Sequence, residues 1–545
     1  MNIDLLFSNF ELLNTPQKIQ KLKQAILQLA IQGNLVPQDP NDEPASQLLK
    51  RIKAEKEKLI KEGNPKREKP LPPISSEEIP IEAPKTWQWV RLGNILIFNY
   101  GKGIPENLGE GNIPAYGANG IKKYVKKPLV DGPVIIVGRK GSVGALNVEK
   151  NSCWPTDVTY YIEKHDNLEF DFIYYLLKSL NLEKYGLGIK PGLNRNQVYN
   201  TFVPLPPLEE QKRIVEKIDQ LFSRADEIES KLKKADEEIV HLDKSALHQL
   251  LESKDGEEFK KNFEFIIENF DLLYSDERNV KELRQAILQL AVQGKLVPQN
   301  PNDEPASELI KKIKAEKQRL IKEWKLKKEK PLPPISEDEI PYKSPKGWKW
   351  VRTIEICRYI QRGKSPVYSD IKKYPVLSQK CIQWSGIDIS KARFIDPKSL
   401  EKYESERLLK TGDLLWNSTG DGTIGRINLY DEKVNTYQLA VADSHVTVVR
   451  PLISLVNARY LCTWFSSPHV QNVLVDKITG STKQTELGTG TVKKHLVLLP
   501  PLNEQKRIVE KVDELMELFD ELESKIVKSK EESDRLIDAI LHTSF

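Results

Sequence analysis

Long parts of this chain are written twice, and that duplication constrains the fold more than any other feature. Residues 22–80 align without a gap on residues 283–341 at a constant offset of 261, with 44 of 59 positions identical. The centre reads QAILQLAIQGNLVPQ from Gln24 and QAILQLAVQGKLVPQ from Gln285, and NDEPAS, KAEK and EKPLPPIS follow in both copies. Trp-x-Trp-Val-Arg closes each copy, at Trp87 to Arg91 and at Trp348 to Arg352. A second duplication runs at an offset of 294, with PLEEQKRIVEKIDQL from Pro207 and PLNEQKRIVEKVDEL from Pro501. The offsets differ by 33, so the segment between the repeats is longer by that amount in the second half. Those segments, Leu92 to Pro204 and Thr353 to Leu498, show little resemblance to each other. A shared frame therefore alternates with two different inserts.

The frame is helical. After Pro207 the apolar positions Ile214, Ile218, Leu221, Ala225, Ile228, Leu232, Ala235, Ile239, Leu242 and Ala246 keep an unbroken 4-3-4-3 spacing. That spacing is the seam of a coiled coil. The tail repeats it with Ile508, Val512, Leu515, Phe519, Leu522, Ile526, Ser529, Ser533, Leu536 and Ile540, loosened by the two serines. A helix over about residues 210–251 is roughly 60 Å long. Two such helices in one chain are expected to pack as an antiparallel coiled coil if a two-fold axis relates the halves; the alternative is two helices docked separately on globular domains. Gln17 to Gln32 and Asp42 to Glu62 predict two shorter frame helices, the first ended by Gly33 and Pro37. Lys69 to Pro73 and Lys330 to Pro334 read as stiff linkers into the inserts, and LPPL at Leu205 and Leu499 marks the exits.

The inserts mix strand-like runs (Pro133 to Val137, His445 to Val449) with helical ones (Phe170 to Leu180, Leu455 to Phe465) and Gly-rich loops. Each predicts a compact α+β domain. The N-terminal frame plus the C-terminal tail rebuild the content of the middle frame, so the arrangement is pseudo-two-fold and pseudo-circular, with the chain ends close together. The expected boundaries are 1–86 for the N-terminal helical frame with its linker and 87–207 for the first insert domain. A central frame over 208–347, a second insert domain over 348–501 and a C-terminal helix over 502–545 complete the chain.

Charge separates the inserts from the frame. Residues 87–207 hold 14 Lys/Arg against 10 Asp/Glu, and residues 348–501 hold 22 against 14. The whole chain is only +5, so everything outside the two inserts sums to −7. Positive charge confined to two segments marks two candidate nucleic-acid surfaces. No apolar run approaches bilayer length, and the N-terminus lacks a signal-peptide pattern, so no membrane partner is expected. Cys153, Cys357, Cys381 and Cys462 are scattered, which predicts free thiols in a reducing, cytoplasmic setting.

Motifs for catalysis do not assemble. Gly363-Lys364-Ser365 resembles the end of a phosphate-binding loop, but Arg358 stands where its first glycine belongs. The turn Gly138-Arg139-Lys140-Gly141-Ser142-Val143-Gly144 lacks the Gly-Lys-Ser/Thr ending, and no Asn/Asp-Pro-Pro-Tyr tetrad or GxGxxG fingerprint occurs. The histidines show no metal spacing, so no catalytic and no metal residue is assigned. Loops that mix cations, amides and glycines suit DNA instead: Arg and Lys reach phosphates and guanine edges, while Asn and Gln pair with adenine. In the first insert the candidates are Lys122, Lys123, Lys126, Lys127, Arg139, Lys140, Lys190, Asn194 and Arg195. In the second they are Arg362, Lys364, Gln379, Lys380, Asn417, Arg426, His445, Lys483 and Gln484. Trp384 and Trp416 are better placed in the core than against bases.

As a set, the paired QAILQLAxQGxLVPQ segments, the LPPLxEQKRIVEK exits feeding heptad helices, and the VGRKGSVG turn resemble the specificity subunits of type I restriction-modification enzymes. The resemblance spans essentially the whole chain. It implies two target recognition domains, each reading half of a split, asymmetric double-stranded DNA site, with a helical spacer between them. It implies docking to two modification (methyltransferase) subunits, and through the complex to restriction (motor-nuclease) subunits. Those partners bring S-adenosylmethionine, ATP and Mg²⁺, and this chain brings no cofactor and no chemistry. The competing reading is a non-catalytic coiled-coil scaffold whose basic domains bind proteins rather than DNA.

Overall fold

The computed structural model describes residues 3–542 except 62–70, 73, 75–77, 80–81, 187–191, 255, 275–276, 327, 331, 421, 438 and 478–485. The chain forms two compact units, Met1–Ala235 with Ser533–Phe545, and Asp236–Glu532. Among the described residues the repeated helices of the frame are α1 (Pro16–Ile31), α2 (Ala45–Lys61), α3 (Leu208–Leu251), α4 (Glu277–Gln293), α5 (Ala306–Lys322) and α6 (Leu502–His542). The long helix α3 begins in the first unit and ends in the second, and α6 does the reverse. Among the described residues no helix is long and apolar enough to cross a membrane.

Local sequence explains the frame helices. Thr15 caps α1 by accepting from the Lys18 amide, and Pro16 at the first position is pre-set for the helix. The stripe Ile19, Leu22, Ile26 and Leu29 is buried, each side chain worth about 1.5–3 kcal/mol on leaving water. Gly33 ends the run with φ 75°, and a Cβ there would meet Pro84 at 2.5 Å. Gly294, its equivalent after α4, has φ 73° and sits 2.9 Å from Pro345 by the same measure.

The long-helix seam is buried at its ends and open in the middle. Ile214, Ile218, Leu221 and Ala225 are buried in the first unit, and Ile508, Val512, Leu515 and Phe519 in the second. Ile228, Leu232, Ile239, Leu522 and Ile526 are half-buried, while Ala235, Leu242, Ser529 and Leu536 are exposed. At the end of that stretch one predicted position in each helix misses by one residue, while Ala246 of the predicted seam is buried again. Asp243 and Ile537 are buried where Leu242 and Leu536 were expected, because the seam drifts around a straight helix once tight packing is lost.

The duplication recurs bond for bond. Trp87 Nε1 donates to Glu210 at 2.9 Å, and Trp348 Nε1 to Glu504 at 3.0 Å. Arg213 reaches Asp42 and Arg507 reaches Asp303, both at 2.6 Å. Arg284 pairs with Asp520 and Glu523, repeating the contact of Lys23 with Asp226 and Glu229. The Lys56 ammonium donates to the carbonyls of Gly93 and Leu96, and Lys317 to those of Ile354 and Cys357.

Each insert is α+β and clasped at its base by an antiparallel pair, Gln88–Arg91 with Phe202–Leu205 and Lys349–Arg352 with Leu496–Leu499. The first insert centres on β1 (Asn99–Tyr100), β2 (Val134–Gly138), β3 (Leu146–Glu149) and β4 (Thr159–Glu163), in spatial order β1-β4-β2-β3. The second centres on β5 (Cys357–Arg362), β6 (Leu414–Asn417), β7 (Ile427–Leu429) and β8 (Val446–Pro451), in order β5-β8-β6-β7. All six pairings are antiparallel, so two inserts without visible sequence likeness share one sheet topology. All four cysteines are free and buried.

Candidate nucleic-acid interface

The shared topology brings the same loops together in both inserts. In the first, the chain leaving β1 at Tyr100 meets the turn after β2, the approach to β4, and the segment before Arg195. The amides of Arg139 and Lys140 both donate to Val158 O, and the Leu193 amide donates to Arg139 O at 2.8 Å. Lys140 bridges to Gly192. In the second insert the Ser418 amide donates to His445 O, the Leu487 amide to Ser418 O at 2.8 Å, and Thr419 bridges to Glu486. Lys140 and Thr419 are therefore equivalent, as are Val158 and His445.

Two glycines make this convergence possible. A Cβ on Gly101 would stand 2.1 Å from Thr156 O, and one on Gly363 2.1 Å from Ala442 O. Each glycine lets the chain leaving the edge strand cross close over another backbone. It follows that Tyr100-Gly101-Lys102 and Arg362-Gly363-Lys364 are equivalent triplets.

In the first insert the exposed Tyr100 ring is in contact with two guanidinium groups, with Arg139 Cζ 5.4 Å and Arg195 Cζ 4.9 Å from its centroid. Cation–π contact holds both arginines at the surface without neutralising them. Arg139 also donates to Asp157 O at 2.8 Å and Arg195 to Phe98 O at 3.2 Å. Beneath them Tyr160 donates to Leu193 O, and burial pushes its hydroxyl up to about 12. Asn194 is engaged as a helix cap, accepting from the Asn196 amide at 2.9 Å. Lys122 and Lys123 lie exposed on the strand Gly120–Val125, and Lys126 and Lys127 follow it. Lys190 lies outside the described residues.

The second insert holds a polar cluster at the equivalent place. Gln379 Nε2 donates to Thr419 Oγ1 at 2.6 Å, and Thr419 Oγ1 stands 2.8 Å from His445 Nδ1. The direction of the Thr419–His445 bond follows the ring tautomer, and in the tautomer whose Nδ1 accepts from the hydroxyl the Nε2 proton faces a partner. Arg362 pairs with Glu486 at 2.8 Å. Beside it a groove of about 550 Å³ is lined by Arg362, Lys364, Lys402, Arg407 and Lys493 together with Glu404, and Lys493 pairs with Glu329 at 2.9 Å. Of these, Lys402, Arg407 and Lys493 were not picked out by sequence, because they come from separate stretches that only the fold joins.

Two expectations change, at Asn417 and Trp384. Asn417 is buried with its amide on Gln379 O at 3.2 Å, so it braces the cluster instead of facing a ligand. Trp384, expected in the core, is 50% exposed, whereas Trp416 is buried and donates to Gly425 O. Arg426 is held by Gln383 Oε1 and Gly422 O. Lys364 lies over the Tyr403 ring and Lys380 is exposed. Lys483 and Gln484 lie outside the described residues. Tyr100 is not among the sequence candidates, and only the fold brings its ring to Arg139 and Arg195.

Among the described residues no group of three His, Cys, Asp or Glu side chains gathers to hold a metal ion. A family model described as the type I restriction modification DNA specificity domain matches residues 84–237 and 345–529. The chain is 32% identical to the type I restriction enzyme EcoEI specificity subunit of Escherichia coli, covering 96% of this chain and 93% of that one. It is 33% identical, with the same coverage, to the EcoAI specificity subunit of Escherichia coli. Among solved structures, the HsdS subunit from Thermoanaerobacter tengcongensis gives a TM-score of 0.44 at 18% identity, covering 86% of this chain and 98% of that one.

Proposed function

The chain belongs to the type I restriction-modification DNA specificity family, and from that membership we propose that it reads a split DNA site through its two inserts while partner subunits do the chemistry. The observation that carries the reading is the double match, one copy of the DNA specificity domain on each insert. The equivalent loops support it, because each insert presents cations, amides and an exposed ring where the same four chain segments meet.

On this reading the two recognition domains span residues 87–207 and 348–501, on a frame built by residues 1–86, 208–347 and 502–545. Arg139, Lys140 and Arg195 serve the first half-site, and Arg362, Lys364, Gln379 and His445 the second. Arginine on an aromatic face reaches phosphates or guanine edges, and the Gln379–Thr419–His445 chain offers one oriented donor to a base edge. The duplicated frame presents equivalent surfaces to two copies of one modification subunit, which methylates adenine with S-adenosylmethionine. Restriction subunits join through that complex and bring ATP and Mg²⁺. The chain works in the cytoplasm, supplies the address, and catalyses nothing itself.

The test is the salt dependence of duplex binding by the chain in complex with its modification subunits. The DNA reading requires affinity that falls steeply with salt as counterions are released. A complex with no measurable DNA affinity at low salt would favour the protein-binding scaffold.

A further inference from the structure

The duplication places α1 and α4 in equivalent positions, where each receives the C-terminal end of one long helix. In the first unit Ile537 and Leu541 of α6 share a core with Ile19, Leu22 and Ile26 of α1. In the second, Ala246 and Leu250 of α3 share a core with Val280, Leu283 and Ile287 of α4. The register is the same. A cleft of about 760 Å³ touches Gln24, Ala25, Gln28 and Leu541, and one of about 820 Å³ touches their equivalents Gln285, Ala286, Gln289 and Leu247.

Within this shared geometry the polar residues do not repeat. Lys21 Nζ of α1 pairs with Asp538 of α6 at 2.7 Å. The equivalent positions carry Glu282 on α4 and Lys244 on α3, the same charges with their places exchanged. Both act on the buried Asp243. Lys18 of α1 is itself buried, with Nζ 3.2 Å from Asp534 and 2.9 Å from Ser533 Oγ and Asn14 Oδ1. Its equivalents are the uncharged pair Asn279 and Val240. Where the first unit buries Ile537, the second buries Asp243 beside Tyr274.

Exchanging the two helix ends would therefore fail at three points. Lys21 would face Lys244, and Glu282 would face Asp538. The buried Lys18 ammonium would meet Val240 in place of a carboxylate, and a buried charge without its partner is strongly unfavourable. Asp243 would be buried without Tyr274.

We propose that these residues form a matching code which directs each helix end to its own frame helix. A chain carrying two nearly identical frames has an inherent pairing ambiguity, within one molecule and between two copies. Here opposite charges select the native partner and like charges reject the other one. The function of the code is to keep each helix end off the other, nearly identical frame helix, whether that helix belongs to the same molecule or to a second copy. It rests on the pairing geometry alone and stands apart from the DNA reading.

The test uses the full chain and zero-length carbodiimide coupling of amines to carboxylates, read by peptide mass spectrometry. In the unaltered chain the Lys18–Asp534 crosslink reports native pairing of α1 with α6. The double variant K21E/E282K codes each frame helix for the wrong end. It is expected to lose Lys18–Asp534 crosslinks roughly three- to tenfold, the range two reversed surface pairs can supply, and to gain a link between positions 21 and 244. Adding K244D and D538K reverses the whole code and is expected to restore the Lys18–Asp534 link. If the double variant keeps the native yield, or the quadruple variant recovers no better than the double, the code is refuted.

Discussion

Trp348 donates its indole proton to Glu504 at 3.0 Å inside the second unit, where burial pushes the Glu504 carboxyl up to about 7. The same bond joins Trp87 to Glu210 in the first unit, where burial again raises the acid. These pairs pin the start of each long helix to the tryptophan that leads into a recognition domain, so the link between strut and reader is itself titratable. Arg507 and Asp303 stand nearby, the arginine lowering and the aspartate raising the Glu504 carboxyl.

A folded pKa above the unfolded value means that the native state holds the proton more tightly. The stability Glu504 contributes is then fully present below about pH 4.5 and is lost as pH rises through about 7. Glu504→Gln keeps an acceptor for Trp348 and cannot ionise. It should stabilise the chain at pH 8 by on the order of 1 kcal/mol, seen as a higher melting temperature, and change little at pH 5. Thermal unfolding at the two pH values checks the sign.

Gly363 has no room for a side chain, since a Cβ would press on Ala442 O at 2.1 Å. Gly363→Ala should destabilise the second unit by about 2–3 kcal/mol and displace Arg362 and Lys364. Gly363 is not a DNA contact in this account. Denaturant unfolding should therefore report the damage in the free chain, before any DNA is added.

Arg139 and Arg195 both contact one exposed tyrosine, so their loss should be local to one half-site. Arg139→Ala should weaken duplex binding by about 1–3 kcal/mol and, if the contact is to phosphate, reduce the salt slope by about one. His445→Ala should instead relax discrimination at a base of the other half-site. Binding to duplexes altered in one half-site at a time separates the two effects.

The strut makes a geometric prediction. Seven residues inserted after Ile228 preserve the seam and add roughly 10 Å of helix. The unspecified spacer between the half-sites should lengthen, and methylation mapping of the variant would show it. An unchanged spacer would mean that α3 does not set the separation.

The frame was legible because duplication exposes it. Constant offsets carry Trp87 onto Trp348, Glu210 onto Glu504 and Asp42 onto Asp303, and the structure repeats each bond. The common topology of the readers was not legible. The turn Gly138 to Gly144 and its counterpart Asn417 to Gly425 differ by a two-residue insertion, and only the hydrogen bonds of Gly144 to Gly138 and Gly425 to Asn417 align them. Asn417 looked like a reader because amides suit bases, yet sequence does not tell a bracing amide from a reading one. Periodicity predicted the seam well where packing is tight, and missed by one residue at Leu242 and Leu536, where Asp243 and Ile537 are buried, before Ala246 returns to the core.

The central claim is that two inserts on one frame each specify half of a DNA address. Single-molecule mapping of methylated adenines in the host genome tests it most directly, with and without a functional copy of this chain. The expected result is one split, asymmetric motif of two short specific halves around a fixed spacer, methylated only when the chain is present. Adenine methylation that ignores the chain, or a chain-dependent motif that is continuous and unsplit, would contradict it.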